Sequence, residues 1–245
     1  MTAIKTIGLI GFGAFGRLMA RHLAAHFQLT VFDPAAPRSG RDDELGVTFA
    51  DIADAAHCDA VVLATPVEAF EQAIRAVAPH LKPGALILDV GSVKLKPSEI
   101  MLRALPAHVD IIGTHPLFGP QSARDGLQGL KIALCPLRGD RAACVGAFLR
   151  GLGLEVILTT PEAHDRDAAI VQGLTHLIAK ILVQMEPLPM HMTTRSYDLL
   201  MQAVQIVRHD PPTVFEAIER ANPYSAEVRA RFLAMAEALD KSFKA

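Results

Sequence analysis

Three groups of residues in this chain have types and spacings that can do chemistry. The first is Gly11-Phe12-Gly13-Ala14-Phe15-Gly16, which directly follows the apolar run Ile4–Ile10 and opens a segment of helical period. In that setting the first glycine permits a tight turn and the second lets the backbone approach a pyrophosphate. The third lets helix and strand pack closely. The pyrophosphate would rest on free N–H groups at the positive end of the helix. The second is Asp33, which ends the next apolar run. A carboxylate there accepts hydrogen bonds from ribose hydroxyls and repels a 2′-phosphate. The third group lies just after the later strands: Thr65-Pro66, then Asp89-Val90-Gly91-Ser92-Val93-Lys94, then Gly113-Thr114-His115-Pro116-Leu117-Phe118-Gly119-Pro120. Ligands of open α/β sheets bind beyond the carboxyl ends of the strands. Of these residues, His115 is the side chain suited to taking a proton near neutrality. The expectation is a dinucleotide site that takes NAD, with NADP possible through Arg38 and Arg41 in the loop after Asp33.

The elements that would position these groups are read from hydrophobic pattern. Apolar runs at Ile4–Ile10, Leu29–Phe32, Val47–Phe49, Ala60–Ala64, Ala85–Val90, Val109–Ile112, Lys131–Cys135 and Glu155–Leu158 alternate with segments of helical period. Continuous rather than alternating hydrophobicity predicts strands buried on both faces, hence a mostly parallel sheet between helix layers. This is a doubly wound, Rossmann-type α/β domain over residues 1–160. From residue 161 to 245 the pattern is all-helical. One long helix is expected over Glu162–Met185, with Ile170, Leu174, Leu177, Ile178 and Ile181 on its apolar face. Further helices are expected over Tyr197–Val207, Pro212–Arg220 and Ser225–Phe243. So small a helical segment buries its apolar faces poorly alone, so it is expected to pack on the first domain and on a second copy, as a homodimer.

Composition narrows the partners. The chain has 245 residues, 51% hydrophobic and 20% charged, with formal net charge −2. That excludes a disordered chain, and the absence of a basic block gives no reason to expect nucleic acid. No apolar stretch reads as a signal peptide or a membrane span. Cys58, Cys135 and Cys144 are widely spaced, without C-x-x-C. They read as inert core thiols in a reducing cytosol. No metal is expected from the scattered histidines.

The glycine turn, Asp89–Lys94 (DVGSVK), Gly113–Pro120 (GTHPLFGP), His164-Asp165 and Gln172-Gly-Leu-Thr-His176 together resemble the prephenate/arogenate dehydrogenase family of tyrosine biosynthesis. The resemblance is ordered and spans almost the whole chain. It implies oxidative decarboxylation of a cyclohexadienyl substrate, with hydride passing to the nicotinamide of NAD(P) and a helical second domain that mediates dimerisation. By position in the motifs, His115 is the catalytic base and Ser92 hydrogen-bonds the substrate hydroxyl or the histidine. His176 contacts substrate from the second domain, with Gln172 one turn earlier on the same face. Thr114, Lys94 and Arg195 are further candidate substrate contacts. Gly91 joins Gly11, Phe12, Gly13, Ala14, Phe15, Gly16, Asp33, Thr65 and Pro66 as cofactor contacts. For Ser92 the alternative is a helix N-cap, for Lys94 a surface lysine, and for His164-Asp165 a structural helix start.

One departure stands out. Where many bacterial members carry a carboxylate-gripping arginine shortly before an Asp-Pro, the corresponding position here is Gln205. A neutral amide does not replace a bidentate guanidinium. Arg195 and Arg208 are the candidate replacements, and Asp198 a candidate for an arogenate ammonium. The length suggests a stand-alone dehydrogenase. The alternatives are another small two-domain reductase of the hydroxyacid or imine type, with Lys180 its only catalytic lysine candidate, or a dinucleotide-sensing binding protein.

Overall fold

The structure, a computed structural model, describes residues 3–208 and 210–244. Its first unit, Met1–Pro161, is built on strands β1 (Thr6–Ile10), β2 (Gln28–Phe32), β3 (Gly40–Asp42), β4 (Val47–Phe49), β5 (Ala60–Leu63), β6 (Leu86–Asp89), β7 (Asp110–Pro116), β8 (Lys131–Arg138) and β9 (Glu155–Leu158). They form one sheet in the order β3-β4-β2-β1-β5-β6-β7-β8-β9. The six strands from β4 to β7 in that order run parallel, while β3 and β8 pair antiparallel with their inner neighbours. This is the expected Rossmann-type sheet with antiparallel additions toward its edges. Strand β3 carries no apolar signal, so the sequence pattern does not announce it.

Helices α1 (Ala14–Leu23) and α5 (Ala142–Gly151) cover one face; α2 (Ile52–Ala56), α3 (Phe70–Val77) and α4 (Leu95–Ala104) cover the other. Leu9, Val31, Leu86 and Leu134 are buried on the first face, and Val61, Ile74, Ile87, Met101 and Ile111 on the second. Burial on both faces is what the continuous apolar runs encode. Between α1 and α5 an apolar cavity of about 470 Å³ lies over β5 and β6, lined among others by Met19, Val62, Leu88 and Phe148. Asp59 fastens the amino ends of β1 and β5. Its carboxylate accepts from the N–H groups of Lys5 and Thr6 at 2.9 and 3.0 Å and from Lys82 Nζ at 3.2 Å.

The second unit, Glu162–Ala245, is helical. The helix expected over Glu162–Met185 is present, but not as one regular α-helix. It runs as α6 (Pro161–Ala168), a wider π-type segment Ala169–Leu174, and α7 (Thr175–Gln184). A π turn inserts a residue and shifts the phase of the apolar stripe. Accordingly Ile170 and Ile181, placed on the buried face by a regular period, are exposed. Side chains take up carbonyls of the wide turn: Thr175 Oγ1 donates to Val171 O at 2.6 Å, and His176 Nδ1 meets Gln172 O at 3.0 Å. Then come α8 (Arg195–Val207), α9 (Pro212–Glu216), a second π segment Ala217–Ala221, and α10 (Ser225–Ser242). Met235, Leu239 and Phe243, expected on a packed stripe, are exposed in the single chain. None of the helices, among the described residues, is long and apolar enough to cross a membrane.

Candidate active site

Each glycine of the turn after β1 has its own reason. Gly11 has φ +105°, and a Cβ there would run into the Ala64 carbonyl. A Cβ on Gly16 would run into the Gly11 carbonyl, whereas at Gly13 nothing lies within 4 Å. The turn therefore needs Gly11 and Gly16 for itself and leaves open space at Gly13. Helix α1 starts there without a side-chain cap and without an acidic residue in its first turn, so its N–H groups face that space unopposed. The Phe12 ring packs edge-on against Phe49 and Phe15 leans on Phe118, while Ala14 is exposed at the start of α1.

Asp33 turns its carboxylate onto this loop. Oδ2 accepts from Phe12 N at 2.6 Å and Oδ1 from Ala35 N at 2.8 Å. Across the edge, after β5, Thr65 Oγ1 is buried with no hydrogen-bond partner among the described residues. Pro66 caps the short turn that leads to α3. A buried orphan hydroxyl, open space at Gly13 and an unopposed helix terminus fit a group rich in acceptors, as a dinucleotide is. Arg41 pairs with Asp43 at 2.6 Å.

The chemical end is organised by Asp89, which terminates β6. Its side chain and that of Lys94 form an ion pair from which solvent is wholly excluded. Asp89 Oδ2 also accepts from Gly91 N at 3.0 Å, and Oδ1 from Thr114 N at 3.3 Å. Thr114 Oγ1 donates to the Asp89 carbonyl at 2.5 Å. Burial pushes the Asp89 carboxyl upward, against the Lys94 ammonium and the N–H groups of Gly91 and Thr114 that draw it down. A Cβ on Gly91 or Gly113 would crowd this carboxylate at 3.2 or 3.4 Å. The motif residues Asp89, Gly91, Lys94, Gly113 and Thr114 are thus one packed unit. Lys94 lies in the interior, which removes the surface-lysine alternative, and its Nζ pairs with Asp89. The Thr114 hydroxyl is likewise engaged with backbone.

That unit holds two residues in place. Ser92 is half-buried in the bend between Gly91 and Lys94. Lys94, not Ser92, stands at the N-cap of α4, and no side chain caps that helix, so the capping alternative for Ser92 is not realised. His115 is buried on β7. The segment Gly113–Pro116, expected as a loop, is strand, because β8 continues the pairing as far as Pro116↔Ile132. The parallel neighbour β6 stops at Asp89↔Gly113. His115 therefore projects beyond β6, on the same sheet edge as the glycine turn. Three strand spacings separate β1 from β7, about 14 Å at about 4.8 Å each.

In the helical unit, His176 is buried and both ring nitrogens are engaged. Nδ1 faces the Gln172 carbonyl, and Nε2 lies 3.2 Å from Asp210 Oδ2. A carbonyl only accepts, so Nδ1 carries a hydrogen. Gln172 meets His176 through its backbone, the consequence of the wide turn. Arg195 is exposed at the start of α8, Gln205 is exposed near its end, and Arg208 forms a two-bond pair with Glu186 at 2.5 and 2.7 Å. His164 Nδ1 and Asp165 Oδ1 lie 2.7 Å apart in the interior, and Asn222 Nδ2 donates to Asp165 O at 2.7 Å. Asp89 and Asp210 are missing from the sequence-derived set of site residues. Asp89 was legible as the acid that begins DVGSVK; Asp210 had no signal beyond the Asp-Pro pair. Cys144 is exposed, not a core thiol, unlike Cys58 and Cys135. His22 and His26 stand four apart, yet no group of three or more potential metal ligands comes together among the described residues.

Comparison with known proteins places this geometry. A probable arogenate/prephenate dehydrogenase of Methanocaldococcus jannaschii is 29% identical over 93% of the chain and 54% of its own length. Arogenate dehydrogenase 1, chloroplastic, of Arabidopsis thaliana is 28% identical over 95% of the chain and 38% of its own. The chain thus spans about half or less of the length of these relatives. The solved prephenate dehydrogenase from A. aeolicus, in complex with hydroxyphenyl propionate and NAD+, superposes with TM-score 0.76 at 22% identity, covering 98% of this chain and 91% of that one. This last likeness speaks for the fold. The family model described as prephenate dehydrogenase, nucleotide-binding domain, matches residues 18–158, from within α1 to the end of β9. On that match, with the DVGSVK and GTHP segments inside it, the chain belongs to the prephenate dehydrogenase family.

Proposed function

We propose that this chain catalyses the NAD-dependent oxidative decarboxylation of arogenate, prephenate or both. The observation that carries the reading is the placement of His115 on the strand edge that also bears the glycine turn. The relatives named for arogenate and prephenate support the substrate class. The open space at Gly13, the Asp33 carboxylate and the orphan Thr65 hydroxyl are what would hold the dinucleotide, with the Gly91 backbone lining its approach. Asp33 supports NAD over NADP, because a 2′-phosphate would face its charge. Bound NAD would supply the hydride acceptor.

The protein's own share is a proton and a position. The substrate hydroxyl proton passes to His115 as the carbon that bears it loses hydride. The ring carboxylate departs as carbon dioxide; its bonding electrons shift through the ring, completing its aromaticity and leaving the oxygen as a phenolate that takes the proton back from His115. Ser92 donates or accepts a hydrogen bond at that hydroxyl, a role its short side chain suits. Asp89, Lys94 and Thr114 act behind them by fixing loop and strand. In the helical unit His176, oriented by Gln172 O and Asp210, is the proposed substrate contact, with Arg195 a further one. The exposed Met235, Leu239 and Phe243 support a homodimer through helical units, and the free cysteines a cytosolic location.

The test is initial-rate formation of reduced nicotinamide with prephenate and with arogenate, each with NAD and with NADP. Turnover of either substrate with NAD is the expected result. Binding of NAD without turnover of either would overturn the assignment in favour of a hydroxyacid-type reductase or a dinucleotide sensor.

A further inference from the structure

Native interiors close-pack and leave few voids larger than a water molecule. The first unit departs from this. Its apolar cavity between α1 and α5, of about 470 Å³, falls in the range of small-molecule pockets, about 300–1,000 Å³. The lining runs from Ile7 near the amino end of β1 to Pro116 at the end of β7, so the cavity spans the depth of the sheet. Thr114 and Pro116 both line it. Side chains alternate along a strand, so His115, between them, points to the opposite face. The cavity is therefore separate from the site described above.

The polar side chains of the wall are already engaged or neutral. The Thr114 hydroxyl donates to the Asp89 carbonyl. Arg141 pairs with Asp110 at 2.8 Å and donates to the Gly84 carbonyl at 3.0 Å. Burial, and less strongly the neighbouring Arg21 charge, hold the His22 imidazole below its ordinary value, so it is uncharged near neutrality. Among the described lining residues no charge is left for a carboxylate, phosphate or ammonium ligand. Water needs several polar partners to stay in a void, and apolar voids of about 150 Å³ already stay dry and take up benzene. Two contacts close the cavity along its sides: Phe27 against Phe148, ring centroids 5.1 Å apart, and Phe15 against Phe118 at 6.2 Å. A helix, about 10 Å across with its side chains, does not pass them. The occupant is thus a small molecule rather than a segment of a second chain.

We propose that the cavity between α1 and α5 is a binding site for an elongated, uncharged apolar molecule, such as an alkyl chain or linked aromatic rings. Its wall offers dispersion contacts and burial of apolar surface, and nothing that would pair with a charged group.

The probe is phenylnaphthylamine, a neutral dye whose fluorescence rises in apolar surroundings, titrated into the full chain. Saturable binding is expected, without displacement by its anionic sulfonated analogue. Val145→Phe on α5 and Met19→Phe on α1 each add a ring to the wall, and each is first matched to wild type in melting temperature. Either is expected to weaken the probe about tenfold or more, because the ring takes the volume that the probe needs. On the unaltered chain, saturating probe is expected to slow alkylation of Cys144, which is exposed and lines the cavity. Absence of saturable binding overturns the proposal, as does wild-type affinity in both filled variants with Cys144 unprotected. Displacement by the sulfonate overturns the uncharged class. Binding that appears only on dilution, as sedimentation shows dimer giving way to monomer, assigns the cavity to a second copy and also overturns it. None of these readouts depends on turnover, so the outcome is independent of the function proposed above.

Discussion

Lys94 and Asp89 form an ion pair with no exposed side-chain surface, five residues apart, around the bend that carries Ser92. Two charges taken out of water hold together only when each is fully engaged. Here the carboxylate is met by Lys94 and by the N–H groups of Gly91 and Thr114. The pairing explains why the two most specific motifs of this chain are separated in sequence yet behave as one: Asp89 reaches from the first to Thr114 in the second, beside His115. Removing one partner leaves an uncompensated buried charge. Lys94→Met is expected to cost about 3–5 kcal/mol, and Asp89→Leu with Lys94→Met less than the single change. Urea denaturation of the three proteins checks this; a double variant less stable than Lys94→Met would contradict it.

The turn glycines separate folding from binding. Gly11→Ala places a Cβ on the Ala64 carbonyl and asks alanine to hold φ +105°, so it is expected to fold poorly. Gly13→Ala meets no protein atom within 4 Å. It is expected to melt within a few degrees of wild type and to lose most NAD affinity, because the added methyl occupies the space left for the pyrophosphate. Thermal melts with and without NAD distinguish the two.

His115→Asn is expected to lower kcat about a thousandfold, the usual scale for loss of a general base. NAD affinity, measured by fluorescence or calorimetry, is expected to hold within a few-fold. A dinucleotide sensor would be indifferent to this change in every assay.

Asp33→Ser removes the charge that would face a 2′-phosphate. The ratio of kcat/KM for NADP to that for NAD is expected to rise about tenfold or more. An unchanged ratio would mean that Asp33 serves only the Phe12 and Ala35 N–H groups.

Asp59 sets an acid limit on stability. Burial by itself pushes this carboxyl up, but the Lys5 and Thr6 N–H groups, the Lys82 ammonium and the Thr6 hydroxyl outweigh it and hold it at about 2. A folded-state pKa below the unfolded one stabilises the fold at neutral pH, and that contribution is lost as pH falls from the ordinary carboxylate range toward about 2. Solvent at this partly exposed carboxylate screens the contacts, so the size is about 1 kcal/mol. Asp59→Asn is expected to be less stable than wild type at neutral pH and to converge with it in strong acid. Urea unfolding across that range is the measurement.

Local pattern determined much of this protein. Continuous apolar runs identify eight of the nine strands; for the central strands the reason is burial on both faces, while β9 is largely exposed at the sheet edge, and the turn at Gly11 comes from a backbone conformation that glycine tolerates best. His115 and the two motifs around it are legible because chemistry restricts which side chains can serve. What the tertiary structure decided is how residues far apart in sequence share an environment. Gly113–Pro116 reads as loop until β8 pairs with it, and only that pairing carries His115 beyond the end of β6. Lys94 reads as a surface charge until Asp89 and the closed interior around it hold it. The wide turn at Ala169–Leu174 has no sequence signature, yet it rephases α7 and engages His176 with the Gln172 carbonyl. Period and composition report what each residue prefers alone; pairing, ion-pair closure and helix phase depend on partners that the fold brings together.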